Sequence, residues 1–209
     1  MKNLFIGKYL VIALCLLSVQ SLIAKDIYLS VNGVDTNNGL SESGAVATLT
    51  KALSLIEDGD NIRVSGIIDV SKEVSGIEGV AIPQMGFSII GDSPSTSGFT
   101  GNGVTRIFNI DSNDKETQYK NLSFINGAQN QTKGSAVFIQ NSRSVFTNCI
   151  FKNNIAVSCK GTVYLYTPNQ VEFYDCIFTD NQVQQGGAVF SEMRGKLVMD
   201  RCMITNCNL

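Results

Sequence analysis

Carboxylates are the side chains of this sequence best suited to chemistry, because the chain contains no histidine and no tryptophan. Two carboxylates held close together can act as general acid and general base on a glycosidic bond, or can bind a calcium ion. Asp175 and Asp200, which Arg201 follows, are a pair that neighbouring repeats would bring together. The candidate acids are Asp69, Glu73, Glu78, Asp92, Asp111, Asp114, Glu116, Glu172, Asp175, Asp180, Glu192 and Asp200.

The spacing of these acids favours solvated surface and turn positions over a catalytic centre. Asp35 lies in the segment NGVDTNNG, which lacks the alternating oxygen ligands of a calcium-binding loop and is typical of a turn. Glycosylation sequons begin at Asn121 and Asn130, but motifs this short recur by chance. We therefore assign no catalytic, cofactor-binding or metal-binding residue, and we expect no cofactor.

Cysteines are the other candidates for chemistry. Cys149, Cys176 and Cys202 each precede an apolar strand residue, and we expect them to be buried, reduced thiols that behave as small hydrophobes. A metal site is disfavoured because the chain lacks both CxxC spacing and histidine. One disulfide within this series stays open, because adjacent repeats bring α-carbons within bonding range. A bridge between Cys159 and Cys207 would require two loops to meet.

A repeat of 26 or 27 residues must position these side chains. Leu122, Cys149, Cys176 and Cys202 are separated by 27, 27 and 26 residues. Each repeat contains short apolar runs interrupted by Asn, Asp, Gly and Gln, which indicate strands and turns rather than helices. The same step relates Phe124, Phe151, Phe178 and Ile204; Asn126, Asn153, Asp180 and Asn206; and Phe146, Phe173 and Met199.

An all-β unit of this length predicts one coil of a right-handed, single-stranded parallel β-helix. Coils that stack at the ~4.8 Å strand spacing would align the series of Phe124 to Ile204 in one internal column. The pair Asn153-Asn154 and its equivalents suit a turn that requires positive φ. A propeller blade would require about 40 residues and four strands. We therefore predict stacked parallel strands over residues 105–207.

The second half of each repeat begins with small residues, as in GGAVF at 186–190 and GSAVF at 134–138, which would let coils approach closely. Between the halves lie AQNQTK, IAVSCK and QVQQ, which vary in length and composition. We predict that these segments are exposed loops. Because binding residues concentrate on such loops, we expect any binding surface nearby.

Phe-x-x-Asn followed by Gly-Gly-Ala, complete from Phe178 to Val189, resembles the repeats of the chlamydial-type polymorphic outer-membrane proteins. The wider pattern, from about residue 60 to residue 209, resembles the pectin-lyase-like superfamily. The copy at Phe124 has Gly127 in place of Asn, and the copy at Phe151 departs at the Gly-Gly-Ala motif. The resemblance implies a β-helix surface protein or a polysaccharide lyase or hydrolase. The closely spaced aspartates and the histidine motif of polygalacturonases are missing.

Three segments make up the predicted organisation. Residues 1–24, with lysines before the apolar run YLVIALCLLSV and Ala24 at the end, predict a secretory signal peptide; the run is shorter than the ~20 residues of a membrane span. Residues 25–60 predict a cap of strand, turn and short helix, with Leu49, Ala52, Leu53 and Ile56 at helical spacing and Gly59 as the stop. Residues 61–209 are the coils, which we expect to be truncated.

We expect a secreted or cell-surface, outer-membrane-associated scaffold for adhesion without catalysis; the alternative is a carbohydrate-active enzyme of the pectate lyase type. Loss of the signal peptide would take the formal charge from −2 to −4, which argues against nucleic acid as a partner. The expected partners are a host surface, a glycan or polysaccharide. Self-association is also expected if the final repeat, RCMITNCNL, leaves a coil uncapped.

Overall fold

Parallel β-strands make up the main body of the protein. The computed structural model describes residues 24–129, 134–166, 169–192 and 195–207. Strands account for 49% of the structure and helices for 6%, and the strands stack as a β-solenoid of about five turns. This confirms the predicted all-β fold of stacked parallel strands. The predicted signal peptide lies outside the described residues except for Ala24, and so does the sequon at Asn130.

The chain enters the solenoid through a short N-terminal region. Its elements are β1 (Asp26–Ser30), a 3-10 turn (Glu42–Gly44), α1 (Leu49–Leu53), β2 (Asn61–Asp69) and a second 3-10 turn (Val70–Lys72). The strands that follow are β3 (Val80–Ile82), β4 (Phe87–Gly91), β5 (Ser97–Thr100), β6 (Phe108–Asp111), β7 (Glu116–Lys120), β8 (Ser123–Ile125), β9 (Ala128–Gln129), β10 (Val137–Gln140), β11 (Arg143–Thr147), β12 (Ile150–Lys152), β13 (Ile155–Lys160), β14 (Val163–Tyr166), β15 (Gln170–Tyr174), β16 (Ile177–Thr179), β17 (Gln182–Gln185), β18 (Val189–Ser191), β19 (Lys196–Asp200) and β20 (Met203–Thr205).

The strands form four stacks, of which A, B and C extend through most of the solenoid and D begins only at β9. Sheet A contains β4, β7, β11, β15 and β19, and sheet B contains β5, β8, β12, β16 and β20. The long strand β2 pairs with β4 through its first half and with β5 through its second, which joins A and B into one 12-stranded sheet that includes β1. Sheet C contains β3, β6, β10, β14 and β18, and sheet D contains β9, β13 and β17.

In-register pairing aligns equivalent residues in columns. Phe124 pairs with Phe151, Phe151 with Phe178, and Phe178 with Ile204, which confirms the predicted alignment. The three phenylalanines are buried, and their ring centroids are 4.8 Å and 4.6 Å apart. Ile204 keeps the register in the last described coil, where it is 53% exposed.

A second aromatic column packs beside the first and completes the core. Tyr119, Phe146 and Phe173 are paired in sheet A, with ring centroids 4.6 Å and 5.0 Å apart. Phe146 also meets Phe151 of the first column edge-on at 5.7 Å. Stacking within each column and edge-to-face contact between columns are both favourable arrangements of aromatic rings.

Left-handed residues form the corner between sheets B and D. Asn126, Asn153, Asp180 and Asn206 have φ of 52°, 55°, 55° and 51°. Asn and Asp adopt this conformation more readily than other non-glycine residues, because their short polar side chains hydrogen-bond locally. The predicted turn with positive φ is therefore confirmed at this corner.

Behind this corner, Asn154 and Asn181 form a buried ladder of hydrogen bonds. The Asn154 Nδ2 donates to the Phe124 carbonyl and to Asn181 Oδ1, both at 3.0 Å, and its Oδ1 accepts from the Gly127 backbone N–H at 2.8 Å. The Asn181 Nδ2 donates to the Phe151 carbonyl at 2.9 Å. The ladder therefore satisfies backbone groups that the corner would otherwise leave buried without partners.

Glycine is required where the chain enters sheet C. Gly134 and Gly161 have φ of 78° and 71°, and a Cβ on Gly161 would lie 2.9 Å from the Cβ of Phe190 in the next coil. A Cβ on Gly134 would lie 3.1 Å from the Tyr164 Cβ. This is the close approach of coils that the small residues of the repeat led us to expect.

Helix α1 is shorter than the spacing of apolar residues predicts. It ends at Leu53, where we expected it to continue toward Gly59. The Ser54 Oγ donates to the Lys51 carbonyl at 2.7 Å, which satisfies a carbonyl of the last turn, and the chain then turns toward β2. Ile56 is still buried, but it enters the core from the turn after the helix.

Carboxylates fix the turns of the N-terminal region. Asp35 accepts hydrogen bonds from the backbone N–H of Ala47 at 2.8 Å and from that of Thr48 at 3.0 Å, so NGVDTNNG forms a hydrogen-bonded turn. Asp60 accepts from the backbone N–H of Lys25 at 2.9 Å. At both carboxyls burial raises the pKa, but the hydrogen bonds outweigh it and leave the pKa below the ordinary value.

These lowered pKa values predict that the folded protein loses stability in acid. The unfolded chain takes up protons at these carboxyls at a higher pH than the folded chain does. Their contribution is therefore fully present above about pH 5 and is lost as the pH falls through the folded pKa. Urea unfolding between pH 6 and pH 3 should show a shallower loss for Asp60→Asn than for the wild type. Asp114→Asn, at an exposed position, is the control. Equal slopes for the wild type and Asp60→Asn would contradict the prediction.

Candidate functional site

A groove of about 440 Å³ lies at the corner between sheets B and D and spans three successive coils. The loop after β5, the turn before β9, and β13 supply its walls. Every described residue that lines the groove is uncharged. We refer to it as the corner groove, and it is within the size range of sites that bind small ligands.

Aliphatic side chains give the corner groove an apolar surface. Val104, Ile155 and Val157 are 60%, 41% and 70% exposed. A shift of register between Ala156 and Lys160 interrupts the pairing of β13 with β17 near Val157. Bulges of this kind redirect side chains and occur beside functional sites. The exposed aliphatic residues are thus grouped on one side of the groove.

Carboxamides form the polar part of the groove. Asn126 and Asn153 occupy the same corner of successive coils, and Asn102 lies one residue beyond that corner in the preceding coil. All three are exposed, and none makes a side-chain hydrogen bond within the described part of the chain. The buried Gln129 donates from Nε2 to the Ile77 carbonyl at 3.0 Å and anchors the groove from behind.

The segments that we predicted as loops form sheet D instead. Parts of AQNQTK, IAVSCK and QVQQ are β9, β13 and β17, so the loop prediction is wrong for them; residues 130–133 lie outside the described ranges. Neighbouring coils supply the hydrogen bonds that make them strands. The Ile155 N–H donates to the Gly127 carbonyl at 2.8 Å, and the Gln182 N–H donates to the Asn154 carbonyl at 2.9 Å. The corner groove opens beside these strands.

Asp175 and Asp200 do come together on neighbouring coils, but Arg201 bridges them. Its Nε and Nη2 donate to Asp175 at 2.6 Å and 3.0 Å, and its Nη1 donates to Asp200 at 2.5 Å. Hydrogen bonding from Arg201 lowers the pKa of Asp175. An ionised carboxylate already occupied by a guanidinium is poorly suited to deliver a proton to a substrate.

The other candidate acids are dispersed, and most hold local structure. Glu73 accepts from the first backbone N–H groups of α1, at 2.9 Å from Leu49 and 2.7 Å from Thr50. Glu78 pairs with the buried Arg106 at 2.8 Å. Further contacts join Asp69 to Ser71, Asp111 to Ser112, Glu116 to Gln118, Glu172 to Tyr174, Asp180 to Lys152 and Glu192 to Lys160. Asp114 is exposed, and Asp92 lines a second groove.

This second groove, of about 390 Å³, lies on the outer face of the first strands. Asp26 and Arg63 form an ion pair within it, with Nε 3.0 Å from Oδ2, and Tyr28 and Glu42 also line it. Asp26 additionally accepts from Asn61 at 2.9 Å, so these polar groups hold β1 against β2. We assign this groove a structural role.

The thiols lie where the repeat places them. Cys149 and Cys176 are buried, Cys202 is half-buried, and these three and Cys207 are free thiols. The Cys149 Sγ donates to the Thr147 carbonyl at 3.4 Å, and burial raises the pKa of this thiol, which makes it a poor nucleophile. The side chain of Cys159 lies outside the described structure.

Metal-binding clusters and membrane-spanning helices are absent among the residues that the structure describes. No group of three or more Cys, Asp and Glu side chains in these ranges is arranged to hold a metal ion. Among the same residues, no helix has the length and apolar character required to cross a bilayer.

Comparison with known proteins identifies no relative. No family model, no curated protein and no solved structure matches the chain. The parallel β-solenoid is therefore established by the strand pairing itself. The resemblance to polymorphic outer-membrane protein repeats and to the pectin-lyase-like superfamily stays a prediction.

Proposed function

We propose that the protein is a non-catalytic scaffold outside the cell, and that the corner groove is its adhesion surface for a glycan or a host surface. The observation that carries the proposal is the lining of the groove, where aliphatic side chains and carboxamides meet without a charged residue among those described. Such a surface offers shape, apolar contact and neutral hydrogen bonds. It offers no group that titrates near neutral pH.

The rigidity of the coils supports a binding role. Strands β8, β9, β12 and β13, which flank the corner groove, are held in register by neighbouring coils. Behind the groove, the Asn154 side chain links Gly127, Phe124 and Asn181 through buried hydrogen bonds. A pre-organised surface loses little conformational entropy on binding, which favours adhesion.

An enzyme of the pectate lyase type is the competing proposal, and the arrangement of acids weighs against it. The carboxylates of Asp175 and Asp200 are the sequence-predicted pair, and both are bonded to Arg201. Neither residue lines the corner groove. A lyase would require a free base beside a cationic subsite, and the groove supplies neither among its described residues.

A paired experiment on residues 25–209 tests binding against turnover. The protein is applied to immobilised glycans and host glycoproteins, and the same preparation is assayed for release of unsaturated uronate with added calcium. We expect retention on the array without release. Val157→Asp should reduce retention by placing an unpaired charge in the groove. Val34→Asp, at a position that is 54% exposed and outside the groove, is the matched control.

Three results would overturn the scaffold proposal. One is the absence of binding to any immobilised surface. Another is equal retention of Val157→Asp and the wild type, which would place binding elsewhere. The third is uronate release that disappears in Asp175→Asn or Asp200→Asn, which would establish the enzyme instead.

A further inference from the structure

We propose that the corner groove binds an extended, uncharged polysaccharide along the solenoid axis, with Asn126 and Asn153 hydrogen-bonding to its hydroxyls. This inference rests on the proposed function of the groove and names the class of its ligand. Four properties of the groove support it. The groove lacks charge, it presents exposed carboxamides, and it has an aliphatic wall. The adjoining strand edge is already occupied by hydrogen bonds from within the protein.

The lack of cationic side chains in the groove favours a neutral ligand. No lysine or arginine is among the described residues that line the groove, so the carboxylates of a uronate polymer would find no cation there. In the next coil the same corner holds Asp180, which would repel such a polymer. Its only charged partner in the described structure is Lys152, with Nζ 3.9 Å from Oδ2.

The carboxamides match the hydrogen-bonding chemistry of sugar hydroxyls. Each Asn side chain offers two N–H donors and a carbonyl acceptor, and a hydroxyl group both donates and accepts. The corners of successive coils lie about 4.8 Å apart along the axis, so the three coils of the groove cover about 10 Å. An extended sugar chain presents its hydroxyl groups at intervals of similar size. Asn102 lies at one end of this row.

The aliphatic residues of the groove complement the apolar faces of a sugar ring. Pyranose rings carry C–H groups on their faces, and these groups can pack against the exposed side chains of Val104, Ile155 and Val157. Apolar side chains with a few convergent polar groups are the usual lining of ligand sites. The combination favours an uncharged saccharide over a charged one.

A peptide that adds to the sheet is disfavoured by the edge of sheet D. Such a ligand would require free backbone groups on β9, the first strand of this sheet. The Ala128 N–H already donates to the Thr105 carbonyl at 2.9 Å. The Gln129 side chain bonds to the Ile77 carbonyl and fastens the preceding loop at this edge. The groove therefore presents side chains, rather than an open strand, to its ligand.

Affinity electrophoresis of residues 25–209 tests the proposal in gels that contain hydroxyethylcellulose, galactomannan or polygalacturonate. We expect a neutral polysaccharide to retard the protein and polygalacturonate to leave its mobility unchanged. The double variant Asn126→Gly/Asn153→Gly removes both carboxamides, while glycine retains the positive φ. It should weaken binding by about 10-fold or more, which corresponds to the loss of two hydrogen bonds.

A matched control removes the same side chains from another corner. Asn121 and Asn148 also have positive φ, of 56° and 50°, at the corner between sheets A and B, and they bond to each other at 2.9 Å. Asn121→Gly/Asn148→Gly should bind within about twofold of the wild type. If the groove variant does not fold, Asn153→Asp replaces it, because aspartate accepts the same backbone conformation but lacks the two N–H donors of the carboxamide.

The outcomes separate this inference from the proposed function. Binding to host glycoproteins without retardation by either neutral polysaccharide would refute the inference and leave the scaffold intact. Equal weakening by the groove and control variants, or preferential retardation by polygalacturonate, would also refute it. If the protein is retained on no surface and in no gel, both proposals fail.

Discussion

Replacement of Phe151 by alanine is expected to lower the free energy of unfolding by about 3–5 kcal/mol, as is typical of large cavities in cores. Phe151 is fully buried, and its ring is stacked between Phe124 and Phe178 at 4.8 Å and 4.6 Å. Strand pairing on both sides holds these neighbours in register. The cavity can therefore collapse only partly, and the lost contacts are not regained.

Denaturant titration measures this effect, and Ile150→Ala is the control. Ile150 lies next to Phe151 in β12 but on the opposite face, where it is half-buried. For Ile150→Ala we expect the free energy of unfolding to fall by about 1 kcal/mol, because the substitution removes less buried apolar surface. A loss below about 1 kcal/mol for Phe151→Ala would show that the aromatic column does not form the core.

Asn154→Ala should destabilise the protein nearly as much, although it removes no apolar surface. The substitution leaves the Gly127 N–H without its partner in a buried corner. It also removes one hydrogen bond from the Phe124 carbonyl and one from the Asn181 carboxamide, whose Oδ1 keeps the Asn154 backbone N–H. A buried polar group without a partner costs about 1–3 kcal/mol. We expect a total loss of about 3–5 kcal/mol, because the groups that remain can relax only in part.

The adjacent residue provides the control for Asn154. Asn153→Gly removes an exposed carboxamide and keeps the positive φ, so stability should change by less than about 0.5 kcal/mol. Hydrogen exchange adds a local measurement, since the Gly127 amide should exchange faster only in Asn154→Ala. Equal destabilisation by the two substitutions would show that the buried ladder contributes nothing specific.

The columns were predictable because in-register pairing converts a sequence period directly into contacts. The period of Phe124, Phe151 and Phe178 is visible in the chain and needs no knowledge of distant residues. One earlier copy does not keep the period. Phe99 begins FTGN, another Phe-x-x-Asn, and pairs with Phe124, but it precedes Phe124 by 25 residues rather than 27.

Sheet D and the corner groove were harder to predict, for a physical reason. The polar segments of sheet D lack the apolar alternation of half-buried strands, and their hydrogen-bond partners belong to other coils. Val157 lines the groove because it follows Ile155 on the outer face of β13, a strand that we predicted as a loop. Asn102 lines it from a coil whose spacing to the next differs from the repeat. The sequence could therefore indicate the neighbourhood of the groove but not its lining.

The in-register stacking has a consequence for how such a chain can change its length. Removal of residues 176–201 would join Asp175 to Cys202, which occupies the position of Cys176, and every column would simply lose one member. Removal of a single residue within a strand would instead turn interior side chains outward. Whole coils are thus the natural units of insertion and deletion. The described residues that line the groove all precede residue 158. Coils added or removed after that point would therefore change the length of the solenoid without changing the groove.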